Sequence, residues 1–345
     1  MNKRTSLACG TAVVAALLPV ALTATPASAA APASEAVVQG LSNPFGLQFT
    51  GAYTAVVAEN ASGEVTRVNT RTGATKTLIA KAAGVAGVAQ RDGKLFAVIG
   101  GPNEQGEPPV GRYKPTAVLR ANPDGTGVEV IANLERYELR NNPDGQVQFV
   151  DGKPVDALSN PFSMTAYKHG LLIADGGAND VLRVDPTTGR VSTFFVPPTI
   201  RTGACEGRPN NPGTTGCDAV PTGVTVANGS VYVSTLGGEA PGAGRVYKLD
   251  GRTGKVQRVW GGLTSPTGIA VTTDETVYLS EVIYDAPEGP PGRIKKILPN
   301  GHRTNAAVAM PVGLQLHGGD LYATAFSIAG PGAGQVVRVS PFAFR

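Results

Sequence analysis

Apolar residues in this chain come in short alternating runs, and the runs stop at Gly, Pro, Asn and Asp. The stretch from Leu158 to Phe194 (LSNPFSMTAYKHGLLIADGGANDVLRVDPTTGRVSTF) holds one complete unit. After Asn160-Pro161, Ser163 to Tyr167 reads as a strand and Lys168-His169-Gly170 as a turn. Leu171 to Ala174 is a second, apolar strand, too short for a helix of about 10 residues. A Gly-rich connection from Asp175 to Asn179 leads to a third strand, Val181 to Val184. Asp185 to Gly189 is a turn with Pro then Gly, and a fourth strand starts at Val191. The pattern predicts a four-stranded antiparallel meander.

The unit recurs. Its openings align as Ser42-Asn43-Pro44-Phe45-Gly46, Ser159-Asn160-Pro161-Phe162-Ser163, Val220-Pro221-Thr222-Gly223, Ser265-Pro266-Thr267-Gly268 and Met310-Pro311-Val312-Gly313. Apolar second strands (YTAVVAEN, LLIADGG, SVYVSTLG, TVYLSEV, DLYATAF) and third strands with a basic residue (VTRVN, VLRVD, RVYKLD, RIKKIL, QVVRVS) follow them. A copy without the Pro begins near Val85 and resumes at Ala117. A repeat of about 40 to 50 residues marks a propeller or solenoid. Six copies of four strands predict an all-β, six-bladed β-propeller, with a short helix over Leu134 to Arg140. The last copy stops after three strands, and Glu35 to Gly40 resembles the outer strands of the others. The N-terminal strand is therefore expected to close the ring, leaving no free edge.

Residues 1–29 read as a secretory signal: Lys3 and Arg4, an apolar Leu7 to Thr23, then Ala27-Ser28-Ala29. Pro19 interrupts the apolar run, which falls short of the roughly 20 residues of a membrane span. Residues 30–345 are then a single propeller domain, expected to be secreted, extracellular, monomeric and without a membrane anchor. Losing Lys3 and Arg4 takes the formal charge from +4 to +2, which leaves no basic stripe for nucleic acid. The 45 Gly and 27 Pro sit at turns between regular strands, a pattern of ordered β structure. Of the cysteines, Cys205 and Cys217 bracket the loop CEGRPNNPGTTGC. In an oxidising compartment they most simply pair; a metal site is the alternative, without a nearby His to complete it.

In a propeller blade the inner strand starts on the face where the second strand ends. Links between blades, and from second to third strands, therefore share one face. Nearly all long insertions are of these kinds: Gly100 to Lys114, Leu236 to Gly244, Val282 to Gly292 and Ser327 to Gly334 within blades, Asn133 to Leu158 and Pro197 to Ala219 between them. Function concentrates in such loops. The ends of the second strands bring Glu59-Asn60, Asp175, Ser234-Thr235, Glu281 and Thr324 to this face, and the openings add Asn43 and Asn160. Two readings stand: these groups bond the backbone of the blade-to-blade turns, or Glu59, Asn160, Asp175 and Glu281 hold a hard cation such as Ca²⁺ at the channel mouth.

Catalytic signatures find no match. The runs Ala240 to Gly244 and Ala329 to Gly334 lack the Gly-Lys-Ser/Thr ending of a phosphate loop. His169, His317 and His302 fall on the opposite, plain face, and no Gly-x-Ser-x-Gly elbow occurs.

The signal, the repeated openings, Arg140-Asn141-Asn142-Pro143-Asp144-Gly145, ADGGANDVLRVDP, VPTGV and PGAGRVY together resemble the ScyD/ScyE family of secreted bacterial propellers. The similarity runs from about Glu35 to Val339, most specifically over Tyr137 to Gly145, Asp175 to Pro186 and Val220 to Val224. That resemblance implies a propeller and no established activity. The blades are more distantly similar to NHL repeats and to gluconolactonase-like and virginiamycin B lyase-like propellers. The first comparison implies a metal held by Glu59, Asn160 and Asp175; the second implies a catalytic His that has no matching position here. The expectation is a secreted, non-catalytic propeller that binds a small molecule, glycan or extracellular protein through Asn43, Glu59, Asn60, Asn160, Asp175 and Glu281. The rival is a metal-assisted lactonase or lyase at the channel mouth.

Overall fold

Proline cannot donate to a sheet ladder and is tolerated at the first residue of a strand. Four inner strands begin on one here: Pro44–Gly51, Pro161–Tyr167, Pro221–Ala227 and Pro266–Val271. The computed structural model describes residues 32–101, 110–150, 153–155, 159–211, 213–284 and 291–345. The leader expected at 1–29 lies outside them, as do parts of the long loops.

Six four-stranded antiparallel sheets follow one another in chain order. Blade 1 continues through Thr54–Glu59, Glu64–Asn69 and Thr75–Ile79; blade 2 consists of Val85–Arg91, Lys94–Ile99, Ala117–Ala121 and Glu129–Asn133. Blade 3 adds Gly170–Asp175, Asp180–Val184 and Val191–Phe195 to its inner strand, and blade 4 adds Ser230–Thr235, Gly244–Asp250 and Val256–Leu263. Blade 5 is completed by Val277–Glu281, Arg293–Ile297 and Arg303–Ala307. Blade 6 has only Leu314–His317, Asp320–Ala325 and Gly334–Val339 from its own stretch. Its outer strand is Ser34–Leu41, paired with Gly334–Val339 and burying Val38 and Leu41. The six-bladed ring and its N-terminal closure are as the repeats predict.

Inner strands of successive blades lie side by side, and that of blade 6 returns to that of blade 1. This crowding explains the Gly in the openings. A Cβ on Gly46 would lie 2.8 Å from the Ala86 carbonyl oxygen, and one on Gly87 would lie 2.7 Å from the Met164 nitrogen. Gly223, Gly268 and Gly313 face the next inner strand's backbone in the same way. Hydroxyls latch the seams: Ser234 Oγ donates to Thr267 O (2.8 Å), Ser280 Oγ to Val312 O (2.6 Å) and Thr324 Oγ1 to Phe45 O (3.2 Å). The last of these joins blade 6 to blade 1. On the plain face His317 stacks on Phe49, centroids 4.1 Å apart, and its Nε2 donates to Ala52 O across the same seam.

Helix α1 (Leu134–Asn141) leaves blade 2 one residue longer than predicted. Asn133 caps it by accepting from Arg136 N (2.9 Å), and Asn142 ends it in the left-handed region at φ 38°. Its buried residues, Leu134 and Glu138, stand one turn apart on one face. A short hairpin the sequence pattern does not announce, Gln148–Val150 with Lys153–Val155, follows it.

Candidate functional site

The openings and second-strand ends lie in register as the repeats require. Pro44 pairs with Glu59, Pro161 with Asp175 and Pro266 with Glu281, each beside a bulge in the inner strand. All three carboxylates are buried and turned into the blade-opening turns. Glu59 Oε2 accepts from Ser42 N (2.7 Å). Asp175 accepts from Ser159 Oγ and Asn160 N, both at 2.6 Å, and from Ala178 N at 3.2 Å. Glu281 accepts from Thr264 N (2.8 Å) and pairs with Arg293, with Lys295 Nζ at 3.4 Å. The amides behave alike: Asn43 Oδ1 accepts from Gly330 N (3.0 Å), Asn160 Oδ1 from Gly101 N (2.8 Å), and Asn60 Nδ2 donates to Val85 O (3.4 Å). A cation at the mouth would have to compete with these backbone partners. Among the described residues, no three His, Cys, Asp or Glu side chains form a ready-made metal-holding group.

The residues after the openings are Phe45, Ala86, Phe162, Thr222, Thr267 and Val312, of which only the two phenylalanines are not fully buried. The rings of Phe45 and Phe162 are 5.2 Å apart between centroids. Their strands belong to blades 1 and 3, so the rings can meet only by reaching in front of blade 2. Thr222 and Thr267 turn their hydroxyls away, donating to Pro266 O (2.8 Å) and Pro311 O (3.2 Å). Two half-buried aromatic rings thus meet beside the blade openings.

Buried carboxylates gather at the seam between α1 and blade 3. Asp180 opens the third strand of blade 3 and stands directly opposite Asp175 across the hairpin end. It is completely buried, and neither carboxylate oxygen has a hydrogen-bond partner among the described residues. Glu138 of α1 is 2% exposed, and its Oε1 is likewise unpartnered. Asp144, half-buried in the turn after α1, accepts from Gln146 N (3.0 Å). Burial pushes the Glu138 carboxyl up to about 8, with the charges of Asp175 and Asp144 adding to it. Burial raises Asp175 to about 6 against its hydrogen bonds. Asp180 is held well above the ordinary carboxylate range, first by burial and then by Glu138, Asp175 and Asp144.

Neighbouring loops converge on this seam. Asn179 Oδ1 accepts from Val220 N (2.9 Å), tying the blade 3 hairpin to the opening of blade 4. Asn211 donates to the Gln146 side chain from the stapled loop. That loop is closed by the Cys205–Cys217 disulfide, with Cα atoms 5.3 Å apart, buried with Ile200, Ala219, Ala240 and Ala243. Tyr137–Gly145, Asp175–Pro186 and Val220–Val224, distant in sequence, thus meet in one place. Sequence reasoning found Asp175 and missed Glu138 and Asp180. The available signal was DGGAND, whose two Asp must oppose each other across an antiparallel hairpin.

No protein-family model matches the chain, and no curated protein matches it. Its fold is similar to those of many solved structures. A luciferin-regenerating enzyme shares 11% identity at TM-score 0.58, over 91% of this chain and 97% of its own. A gluconolactonase from Xanthomonas campestris shares 13% at TM-score 0.55, over 88% and 89%. A calcium-binding protein, regucalcin, from Agrobacterium tumefaciens shares 12% at TM-score 0.53, over 88% and 90%. At such identities the likeness establishes the six-bladed propeller and nothing finer. Among the described residues no helix is long and apolar enough to cross a membrane.

Proposed function

We propose that this chain is an exported member of the ScyD/ScyE group of propellers and binds a sugar-ring ligand of the cell envelope on its loop-rich face, without catalysis. One observation carries this reading: the Phe45–Phe162 ring contact beside the blade openings. Half-buried aromatic rings offer a stacking surface, and the surrounding loops supply polar edges. The rim carboxylates, spent on turn amides and on Arg293, favour binding over metal-assisted opening of a lactone. The buried disulfide is compatible with export through the leader read at residues 1–29.

Co-sedimentation of the exported protein with insoluble cell-wall polysaccharide tests this. Wild type should pellet with the polysaccharide, and the Phe45→Ala/Phe162→Ala variant should bind at least about tenfold more weakly, about 1.4 kcal/mol. Equal pelleting of both would sink the reading. Hydrolysis of gluconolactone above background in CaCl2 would replace it with the metal-assisted rival.

A further inference from the structure

The repeat supplies an internal control for the acidic seam. Three blades carry a carboxylate at the end of the second strand, and each has a residue directly opposite it on the third. In blade 5 Glu281 faces Arg293, which pairs with it, and Lys295 stands close by. In blade 1 Glu59 faces Glu64, which is only half-buried and accepts from Thr77 Oγ1 (3.3 Å). In blade 3 Asp175 faces Asp180, fully buried, with Leu182 where blade 5 has Lys295. Helix α1 then adds Glu138 and its turn adds Asp144. Blade 3 therefore has a carboxylate and a leucine where blade 5 has two cations, with further carboxylates added from α1 and its turn.

Like charges directly opposite each other destabilise a strand pair, and a buried carboxylate without partners is costlier still. Among the described residues, three buried carboxylate oxygens lack any partner: both of Asp180 and Oε1 of Glu138. Asp175 does not share this condition, since its oxygens are committed to Ser159, Asn160 and Ala178. The unsatisfied oxygens come from two separate elements, the blade 3 hairpin and α1.

We propose that Asp180 and Glu138, with Asp144, bind a hard divalent cation of the calcium type, which takes the place that Arg293 fills in blade 5. Carboxylate oxygens are the ligands such a cation prefers, and it requires six to eight oxygens, the remainder coming from water or backbone carbonyls. The side chains do not stand as a closed ligand set beforehand, so binding turns the carboxylates toward one another across a seam already packed through Leu134 and Tyr137. The site lies off the channel axis and takes no ligand from Glu59 or Glu281, so it does not depend on whether the face above it binds sugars.

The test is calcium titration of the exported protein after EDTA treatment, followed by heat of binding and by melting temperature. Wild type should bind one Ca²⁺ with a dissociation constant of about 10⁻⁴–10⁻³ M, the range of extracellular modules, and melt higher in CaCl2 than in EDTA. Asp180→Asn and Glu138→Gln preserve volume and remove the charge; each should fold in EDTA and bind at least about tenfold more weakly. Glu59→Gln, at the mouth, should bind as wild type does. A wild type that gives neither heat nor a melting shift overturns the site, whatever the variants do. So does a response that survives both Asp180→Asn and Glu138→Gln, or one abolished by Glu59→Gln.

Discussion

Phe45 and Phe162 make ring contact across the front of blade 2, 5.2 Å between centroids and tilted by 32°. Each follows the proline that opens its inner strand, so both stand at the same step of the repeat. Aromatic pairs contribute about 0.5–1.5 kcal/mol beyond the area they bury. Phe45→Ala and Phe162→Ala should each destabilise the protein, and the double variant by less than the sum, with a coupling in that range. Urea denaturation of the four proteins measures it. A coupling of zero would mean that the rings do not meet.

The ring is closed by a strand from the other end of the chain. Ser34–Leu41 pairs with Gly334–Val339 and buries Val38 and Leu41. Removing Glu35 to Gly40 takes away Val38 and leaves Gly334–Val339 as an open edge. The shortened protein should melt lower and associate in solution. Light scattering that reports a monomer, with an unchanged melting temperature, would contradict the closure.

Closing the loop between Cys205 and Cys217 is worth roughly 3 kcal/mol in the chain-entropy model. Both cysteines are buried in a satellite core with Ala240 and Ala243, apart from the blade clusters. Reduction should therefore free residues 200–219 before it unfolds any blade. Limited proteolysis should cut there first, at a temperature where circular dichroism remains native. Two free thiols in exported protein, by mass spectrometry, would remove the disulfide.

The repeat was legible because each blade carries the same crowding constraint, a Pro that starts the inner strand and a Gly where the next strand presses in. Blade 3 tolerates Ser163 at the glycine position, and blade 2 opens on Val85, so neither residue is sufficient by itself. Alignment placed Glu59, Asp175 and Glu281 at equivalent positions but left open where their side chains point. Beside each, a bulge displaces the inner strand, and the carboxylate meets the turn amides, a detail that strand alternation does not encode. Glu138 was harder to find. It sits on the buried face of a two-turn helix, 42 residues from Asp180, and only tertiary packing joins them.

The acidic seam makes stability fall as pH rises in calcium-free protein. The groups that face one another there are Glu138 from α1, Asp144 from its turn, Asp175 and Asp180 from the blade 3 hairpin, and Asp218 beyond the stapled loop. Asp175 stands at about 6 and Glu138 at about 8 in the folded protein, against ordinary values of 3.8 and 4.5. A raised carboxyl holds its proton more tightly when folded, so its contribution is full below about pH 4 and is lost as pH climbs through the raised value. Between pH 5 and 8 Asp175 alone accounts for a loss of about 1.4 kcal/mol, and Glu138 and Asp180 act in the same direction. The exposed turn aspartates oppose this only in acid: Asp124, Asp185, Asp250 and Asp274 are held low by hydrogen bonds from nearby threonines. Their stabilisation disappears below about pH 4, outside the window. Urea midpoints in EDTA should therefore fall from pH 5 to pH 8, and less steeply in Asp180→Asn, which removes one of the raised carboxyls. A midpoint that stays level or rises across that range would mean the carboxyls are not buried together as the structure has them.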